Sequence, residues 1–375
     1  ANIGLFLLFI VFIGYPLFLK IISFQKKTAD SNNNETSEFS KENSEVSLTV
    51  IIPFFNELSV IKPKLESIKI NISDYKKFRV IIVNDGNKEY EINNISRFVE
   101  LSKFNFEIKI IKLSKQYGKS FAQYAASLKT DTEYILLTDS NSLFDENYFS
   151  NILTFLLKKE ELFGGCLKYN TDASPEKKYW NIESKLKFAE QDAGLYNTGL
   201  FGSNIIIKRE LYLDFPYYTL CDFSLPLYYQ NTTGKRVYLK KELIVYENDS
   251  GRLIESLKSK KRIIHRAMFG LYKMVRMSNK LNKKLLLQIL FHKVFRWLSW
   301  VMVISVMPMV YFTIKNIHIT DYNKVLILVI IFLVVLMVGI RKILYITVVL
   351  IASAAALIHF MIIPSLNKWK PSDKS

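Results

Sequence analysis

Cysteine is nearly absent from this chain: Cys166 and Cys221 are the two among 375 residues. So few argue against a disulfide framework and suit a reducing compartment. Histidine is scarce as well. His265, His292, His318 and His359 show no metal-ligand spacing, which disfavours a histidine-built metal centre; His265 beside Arg266 reads as a polar helix face, and His359 lies inside an apolar run. Acidic residues are outnumbered, with 34 Asp and Glu against 51 Lys and Arg and a formal charge of +17. No internal repeat is visible. Gly118-Lys119-Ser120 lacks the flanking glycine that a P-loop needs.

What is abundant is apolar surface, 50% of the residues, and it is concentrated at the two ends. Residues 3–22 are almost entirely apolar, interrupted by Gly4, Gly14, Pro16 and Lys20; about 20 such residues cross a bilayer as a helix. A cleaved leader is the rival reading, but no positive stretch precedes the run and no small-residue cleavage site follows it. An uncleaved anchor over residues 1–24 is expected, with Lys20, Lys26 and Lys27 on its C-terminal side placing the next domain in the cytosol. Residues 25–46, rich in Asn, Ser, Glu and Lys, read as a solvated linker. Over residues 252–292, Leu, Ile, Met and Phe alternate with Lys and Arg at helical spacing, the pattern of basic helices lying in a membrane interface. The positive charge therefore points to anionic lipid rather than nucleic acid. Within residues 293–364, three apolar segments at 294–314, 325–340 and 343–363 are expected spans, the middle one short. A polar tail occupies 365–375.

Between the apolar ends, residues 47–251 change character. Short β-rich runs at 46–53, 78–83, 106–113, 134–138 and 162–169 alternate with helical stretches at 58–70, 118–128, 146–157 and 177–195. Such alternation implies parallel pairing and a doubly wound α/β sheet covered on both faces. In sheets of that kind, ligands collect beyond the carboxyl ends of the strands.

Those ends carry the polar residues. The first run leads into Pro53-Phe54-Phe55-Asn56-Glu57, where helix capping explains Asn and Glu as well as ligand binding does. The second ends Val83-Asn84-Asp85-Gly86-Asn87, which a tight turn also accounts for. Gln116-Tyr117-Gly118-Lys119-Ser120 follows the third run, and a lysine at a helix start opposes the macrodipole unless an anion is near. The fourth delivers Thr138-Asp139-Ser140-Asn141, good turn residues in their own right. Each is weak alone. Their convergence at one edge of a sheet is the stronger signal.

The order of these motifs resembles the nucleotide-sugar domain of family 2 glycosyltransferases, the group containing cellulose, hyaluronan and poly-N-acetylglucosamine synthases. The resemblance runs from about residue 47 to 271 and includes Tyr179-Trp180-Asn181-Ile182-Glu183, the segment from Gly199 to Arg209, Cys221-Asp222-Phe223-Ser224-Leu225-Pro226, Gly234-Lys235-Arg236-Val237 and Lys260-Lys261-Arg262-Ile263. It implies an A-type fold, a Rossmann-like mixed sheet flanked by helices, here with one N-terminal and about three C-terminal transmembrane helices and basic interfacial helices. It also implies inverting transfer of a sugar from a nucleotide diphosphate, expected to be a UDP-sugar, to a growing glycan or a lipid-linked acceptor, with membrane lipid around the chain and room for a partner subunit in export. Carried over residue by residue, Pro53, Asn56, Glu57 and Asp85 line the nucleoside pocket, Lys119 and Arg262 approach the nucleotide, Asp139 holds a divalent metal (Mg or Mn), and Asp222 is the general base. The expected setting is the plasma membrane, multi-pass, with the catalytic domain in the cytosol.

The chain departs from the family pattern in three places. Asn141 replaces the second acid of the D-x-D metal motif, a change usual in the D-x-N branch this chain resembles. Cys221 stands where an acid normally precedes the base, lowering the charge that raises the base's pKa. Ser259-Lys260-Lys261-Arg262-Ile263 replaces Q-x-x-R-W, and without the tryptophan, processive polymerisation loses its acceptor-stacking residue. Single addition to a lipid-linked acceptor, or a catalytically silent nucleotide-binding subunit, are the alternatives these departures leave.

Overall fold

The computed structural model describes residues 2–29, 46–56, 58–70, 74–86, 89–170, 175–215, 221–248, 253–278, 280–316 and 340–362. Among them the strands are β1 (Ser47–Phe54), β2 (Lys77–Asn84), β3 (Glu107–Lys112), β4 (Tyr134–Leu137), β5 (Leu143–Phe144), β6 (Leu162–Tyr169), β7 (Ile205–Lys208) and β8 (Tyr238–Glu247). They form one eight-stranded sheet in the order β3-β2-β1-β4-β7-β6-β8-β5.

The first four strands are parallel, as the strand and helix alternation requires. β1, β2 and β4 are buried nearly throughout, which is why they read as continuous Val, Ile and Leu runs rather than an alternating pattern. Each of these aliphatic side chains contributes roughly 1.5–3 kcal/mol on burial. β1 and β2 stay in register to Phe54 and Asn84, so Asn56 and Asp85 emerge at the same edge. β4 stops level with Ile51, and the Thr138 amide donates to the Ile51 carbonyl at 3.3 Å. Asp139 therefore leaves the sheet at that edge too.

Beyond β4 the sheet changes sense. β7 runs antiparallel to β4, β6 antiparallel to β7, and β8 parallel to β6. β5, β7 and β8 were not expected as strands. The β6 and β8 pairing shifts register between Gly165 and Cys166, where a Cβ on Gly165 would stand 2.1 Å from the Leu243 carbonyl oxygen. Asn204 fills this irregularity: its amide donates to the Leu243 carbonyl at 3.0 Å, and its Oδ1 accepts from the buried Tyr148 hydroxyl at 2.5 Å. The bulge thus keeps its polar groups satisfied.

The apolar ends form helices against this domain. Ile3–Gln25 and Leu344–Ile362 are each long and apolar enough to cross a membrane. The expected span at 294–314 is not one straight rod: Lys283–Trp297 and Ser299–Pro308 meet at 58°. Its first limb carries Lys293 and Arg296, which pair with Glu183 of the Pro175–Asp192 helix, and those ion pairs hold that limb on the α/β domain. The described helices thus supply two spans, or three with the bent pair, against the expected four; the segment expected at 325–340 lies almost wholly outside the described residues. The long helix Leu253–Met277 packs on Ile340–Ile362, where Ala352, Ser353 and Ala356 are buried and small side chains let the helices approach.

Candidate active site

Three polar loops close on one point at the carboxyl edge of the parallel strands. Both oxygens of Asp85 accept backbone amides, Tyr117 at 2.8 Å and Gly118 at 2.8 Å. Asp85 is buried, and burial pushes its carboxyl above the usual range while the two amides pull it back. Its two amide contacts clamp the Gly118 turn. Gly118 has φ 100°, a conformation that disfavours any residue with a Cβ, and it launches the Lys119–Ser127 helix.

Lys119 consequently points across the sheet edge. It forms an ion pair with Asp139 and donates to the Gly202 carbonyl at 3.1 Å. Asp222, near the start of the Cys221–Thr233 helix, arrives from the other side. A Cβ on Gly202 would sit 3.3 Å from Asp222 Oδ2 and 3.4 Å from Lys119 Nζ. Lys119, Asp139 and Asp222 are therefore brought together around Gly202, although 83 residues separate Lys119 from it in sequence. The Asp222 carbonyl accepts the Leu200 amide at 2.7 Å, tying the start of the Cys221–Thr233 helix to the loop before Gly202. Burial pushes the Asp222 carboxyl above the ordinary range; Lys119 and Lys187 oppose the shift and Asp139 adds to it. A raised carboxylate is a better proton acceptor near neutral pH.

The other expected site residues lie further from this point. Pro53 is buried within β1, paired to Val83. Asn56 is exposed just past the strand with φ 54°. Glu57 lies outside the described residues. Arg262 is half-buried on the Leu253–Met277 helix.

Two lysines that sequence reasoning passed over belong to the site. Lys64 is fully buried beneath the Asp139 turn, donating to Thr138 Oγ1 at 2.8 Å and Ser142 Oγ at 3.1 Å, with its ammonium 3.4 Å from the Phe144 ring centroid. Burial drives its pKa well below the usual lysine value, with Asp139 opposing. Lys187 lies behind Asp222, 4.3 Å from the Phe201 ring centroid. Neither carried a local signal, because a lysine within a helix is ordinarily a solvated side chain.

Among the described residues no group of three His, Cys, Asp or Glu side chains could hold a metal ion. Asp139 is half-buried and already neutralised by Lys119. This donor set fits a Mg or Mn ion that arrives with a diphosphate and keeps waters, which needs one or two protein carboxylates, and does not fit a preformed cage.

The family model described as glycosyl transferase family 2 matches residues 49–215. A curated relative, an uncharacterized glycosyltransferase of Rickettsia bellii (strain RML369-C), is 26% identical over 161 residues. That match takes in 43% of this chain and 20% of the relative's length. Among solved structures, the mannosyltransferase PcManGT from Pyrobaculum calidifontis, in complex with GDP-Man and Mn2+, superposes with a TM-score of 0.69 at 17% identity, covering 96% of this chain and 98% of that one. The S. aureus TarS 1-349 structure in complex with UDP-GlcNAc gives a TM-score of 0.46 at 14% identity, over 69% of this chain and 72% of that one. Residues 49–215 are thus similar to the family 2 glycosyltransferases, and the fold is A-type.

Proposed function

We infer, from a family 2 glycosyltransferase domain over residues 49–215, that this protein moves a sugar from a nucleotide diphosphate to an acceptor at a membrane face, with inversion at C1. The observation that carries the reading is the meeting of Lys119, Asp139 and Asp222 around Gly202. An acceptor hydroxyl is a poor nucleophile at neutral pH. Asp222 accepts its proton as the bond to C1 forms and the bond from C1 to the diphosphate oxygen breaks. The departing diphosphate carries concentrated negative charge, and Lys119 lies where that charge develops. Asp139 would hold a divalent ion, which would supply further charge neutralisation when bound. Pro53, Asn56 and the Asp85-clamped loop shape the nucleoside end.

The acceptor is a growing glycan or a lipid-linked one, and one observation favours the second. The segment that replaces Q-x-x-R-W is used for fastening: Lys260 donates to Glu176 at 2.7 Å and lies 3.7 Å from the Tyr179 ring centroid. Glu176 also accepts from Ser256 at 2.8 Å and Tyr345 at 2.7 Å. That cluster joins the Leu253–Met277 helix to the Pro175–Asp192 helix and to an apolar one, and it engages Trp180 as well, whose indole N–H donates to Glu176 at 2.8 Å and whose ring centroid lies 4.8 Å from the Lys260 ammonium. The two apolar helices hold the domain at the membrane, with the domain on the cytosolic side where nucleotide sugars are made.

Membranes carrying the full chain, incubated with radiolabelled sugars of both uridine and guanosine diphosphates, test the reading. Transfer into a lipid-extractable or polymeric product, abolished by chelator, is expected. Absence of transfer from every donor, or full activity in excess chelator, contradicts it.

A further inference from the structure

A lysine in a protein core needs a reason, because an aliphatic side chain of similar volume fills the same space without the cost of taking an ammonium out of water. Lys64 is such a residue. It is 0% exposed, on the Leu58–Glu66 helix, whose Ile61 and Leu65 are sealed in the core beside it. An ammonium has three donors, and this one has three neighbours: Thr138 Oγ1 at 2.8 Å, Ser142 Oγ at 3.1 Å and the Phe144 ring, its centroid 3.4 Å away. The two hydroxyls do not need the lysine for their own sake. They are hydrogen-bonded to each other at 3.1 Å, and Ser142 Oγ donates to the Asp139 carbonyl at 2.9 Å.

What the lysine adds is position. Its two bonds bracket the turn at residues 138–142, one at each end, and Asp139, Ser140 and Asn141 lie between them. The Thr138 amide already ties the start of the turn to the Ile51 carbonyl of β1 at 3.3 Å, and the Ser142 amide closes it on the Asp139 carbonyl at 3.4 Å. Lys64 supplies the brace from beneath. That brace is fixed at its own base: Ser67 Oγ donates to the Lys64 carbonyl at 2.7 Å and accepts the Phe144 amide at 3.2 Å, so the helix is tied to the strand that follows the turn. With Asn141 where a second acid would stand, a single carboxylate serves the ion, and nothing compensates if it is misdirected. We propose that Lys64 is a positioning residue of the donor site: it braces the turn so that the Asp139 carboxylate is held ready for a divalent ion on a nucleoside diphosphate. Groups that orient a metal ligand commonly set metal affinity within a range of about 10- to 100-fold. This assignment rests on the transferase reading above and extends it to a residue that lies behind the reacting groups.

The test titrates UDP and GDP into the full chain in nanodiscs of neutral lipid, once with Mn2+ and once in excess chelator, and compares the two dissociation constants. The melting midpoint of the unliganded protein is read alongside. Wild type is expected to bind at least one of the nucleotides more tightly with Mn2+. Lys64→Met keeps the length of the side chain and loses its donors; it should weaken binding in Mn2+ by about 10- to 100-fold, leave binding in chelator as in wild type, and melt no lower than wild type. Thr138→Val and Ser142→Ala each remove one acceptor and should reproduce part of that loss, so the same comparison decides the matter even where Lys64→Met does not fold. A lysine that serves stability alone would lower the melting midpoint and leave the gain from Mn2+ untouched, and that result overturns the proposal. So does a Lys64→Met variant that loses binding equally in Mn2+ and in chelator. Wild type that binds nucleotide with no gain from Mn2+ would take the ion away from Asp139 and the proposal with it, whereas wild type that binds neither nucleotide under either condition would undo the transferase reading itself.

Discussion

The two walls of the cleft are built on different principles. The wall bearing Asp85, Lys119 and Asp139 is made of short loops at the ends of parallel strands, and its polar groups are met by backbone amides and one ion pair. The wall bearing Lys187 and Asp222 is made of helices, backed by a buried charge cluster of Glu183, Glu190, His292, Lys293 and Arg296 that joins the domain to the apolar helices. Phe223 and Leu227, beside Asp222, pack on Ala267, Met274, Leu285 and Ile289 of the flanking amphipathic helices. The first wall would keep its shape in a soluble protein. The second depends on the apolar and amphipathic helices packed against it being in place.

The largest effect should come from Asp222→Asn, which removes the proton acceptor and lowers kcat by about 10²- to 10⁴-fold. Because the Asp222 carboxyl is raised in the folded protein, its ionised form costs stability: that cost is absent at pH below the unfolded value of about 3.9 and grows as pH rises through the folded value. The variant should therefore melt no lower than wild type at neutral pH. In wild type, the acid limb of the pH–rate profile should lie above the ordinary carboxylate range. A limb at or below that range would remove Asp222 from the base role.

Glu183→Gln attacks the second wall without touching the first. It strands His292, Lys293 and Arg296 around a neutral side chain, costing about 3–5 kcal/mol of stability, readable as a lowered melting midpoint with nucleotide binding retained in the fraction still folded. Burial raises the Glu183 carboxyl, but Lys293, His292 and Arg296 outweigh it and hold the pKa well below the usual value. Its contribution is thus present above the unfolded value of about 4.3 and lost as pH falls toward the folded one. Unchanged melting in Glu183→Gln would mean that the two walls do not differ as described.

Lys119→Met should reduce transfer by about 10²- to 10³-fold through lost stabilisation of the leaving diphosphate, with a matching loss of UDP or GDP binding by calorimetry. Retained nucleotide binding would move Lys119 out of the donor wall. The smallest effect is expected from Gly202→Ala, whose new Cβ lies 3.3 Å from Asp222 Oδ2 and 3.4 Å from Lys119 Nζ. Both are ends of side chains and can yield, so a loss of about tenfold in kcat from displaced groups is expected, with no change in melting. A variant as active as wild type would show that the space over Gly202 is not where the walls meet.

The first wall was legible residue by residue. β1, β2 and β4 announced themselves as aliphatic runs closed by Asn56, Asp85 and Asp139, and strand ends in parallel sheets must share an edge. Gly118 and Lys119 before a helix completed the inference. The second wall was legible only through family resemblance, which pointed to Asp222. Lys187 and Lys64 gave no signal, since in sequence each is one of 51 basic residues, and only burial sets them apart. The bend after Trp297 was missed for a similar reason: hydropathy reports length, whereas ion pairs from Lys293 and Arg296 to a glutamate more than a hundred residues earlier decide where the helix turns.

By itself the sequence determined the strand and helix alternation, the apolar ends and the chemistry at the parallel strand ends, because hydrophobic period and turn residues are local properties. The tertiary structure alone decided the antiparallel return of β7, which Asp222 and Lys119 meet around Gly202, and which lysines lose their water. Those depend on contacts between residues tens to hundreds of positions apart, and the free energy of a buried charge is set by what surrounds it, not by its neighbours in the chain.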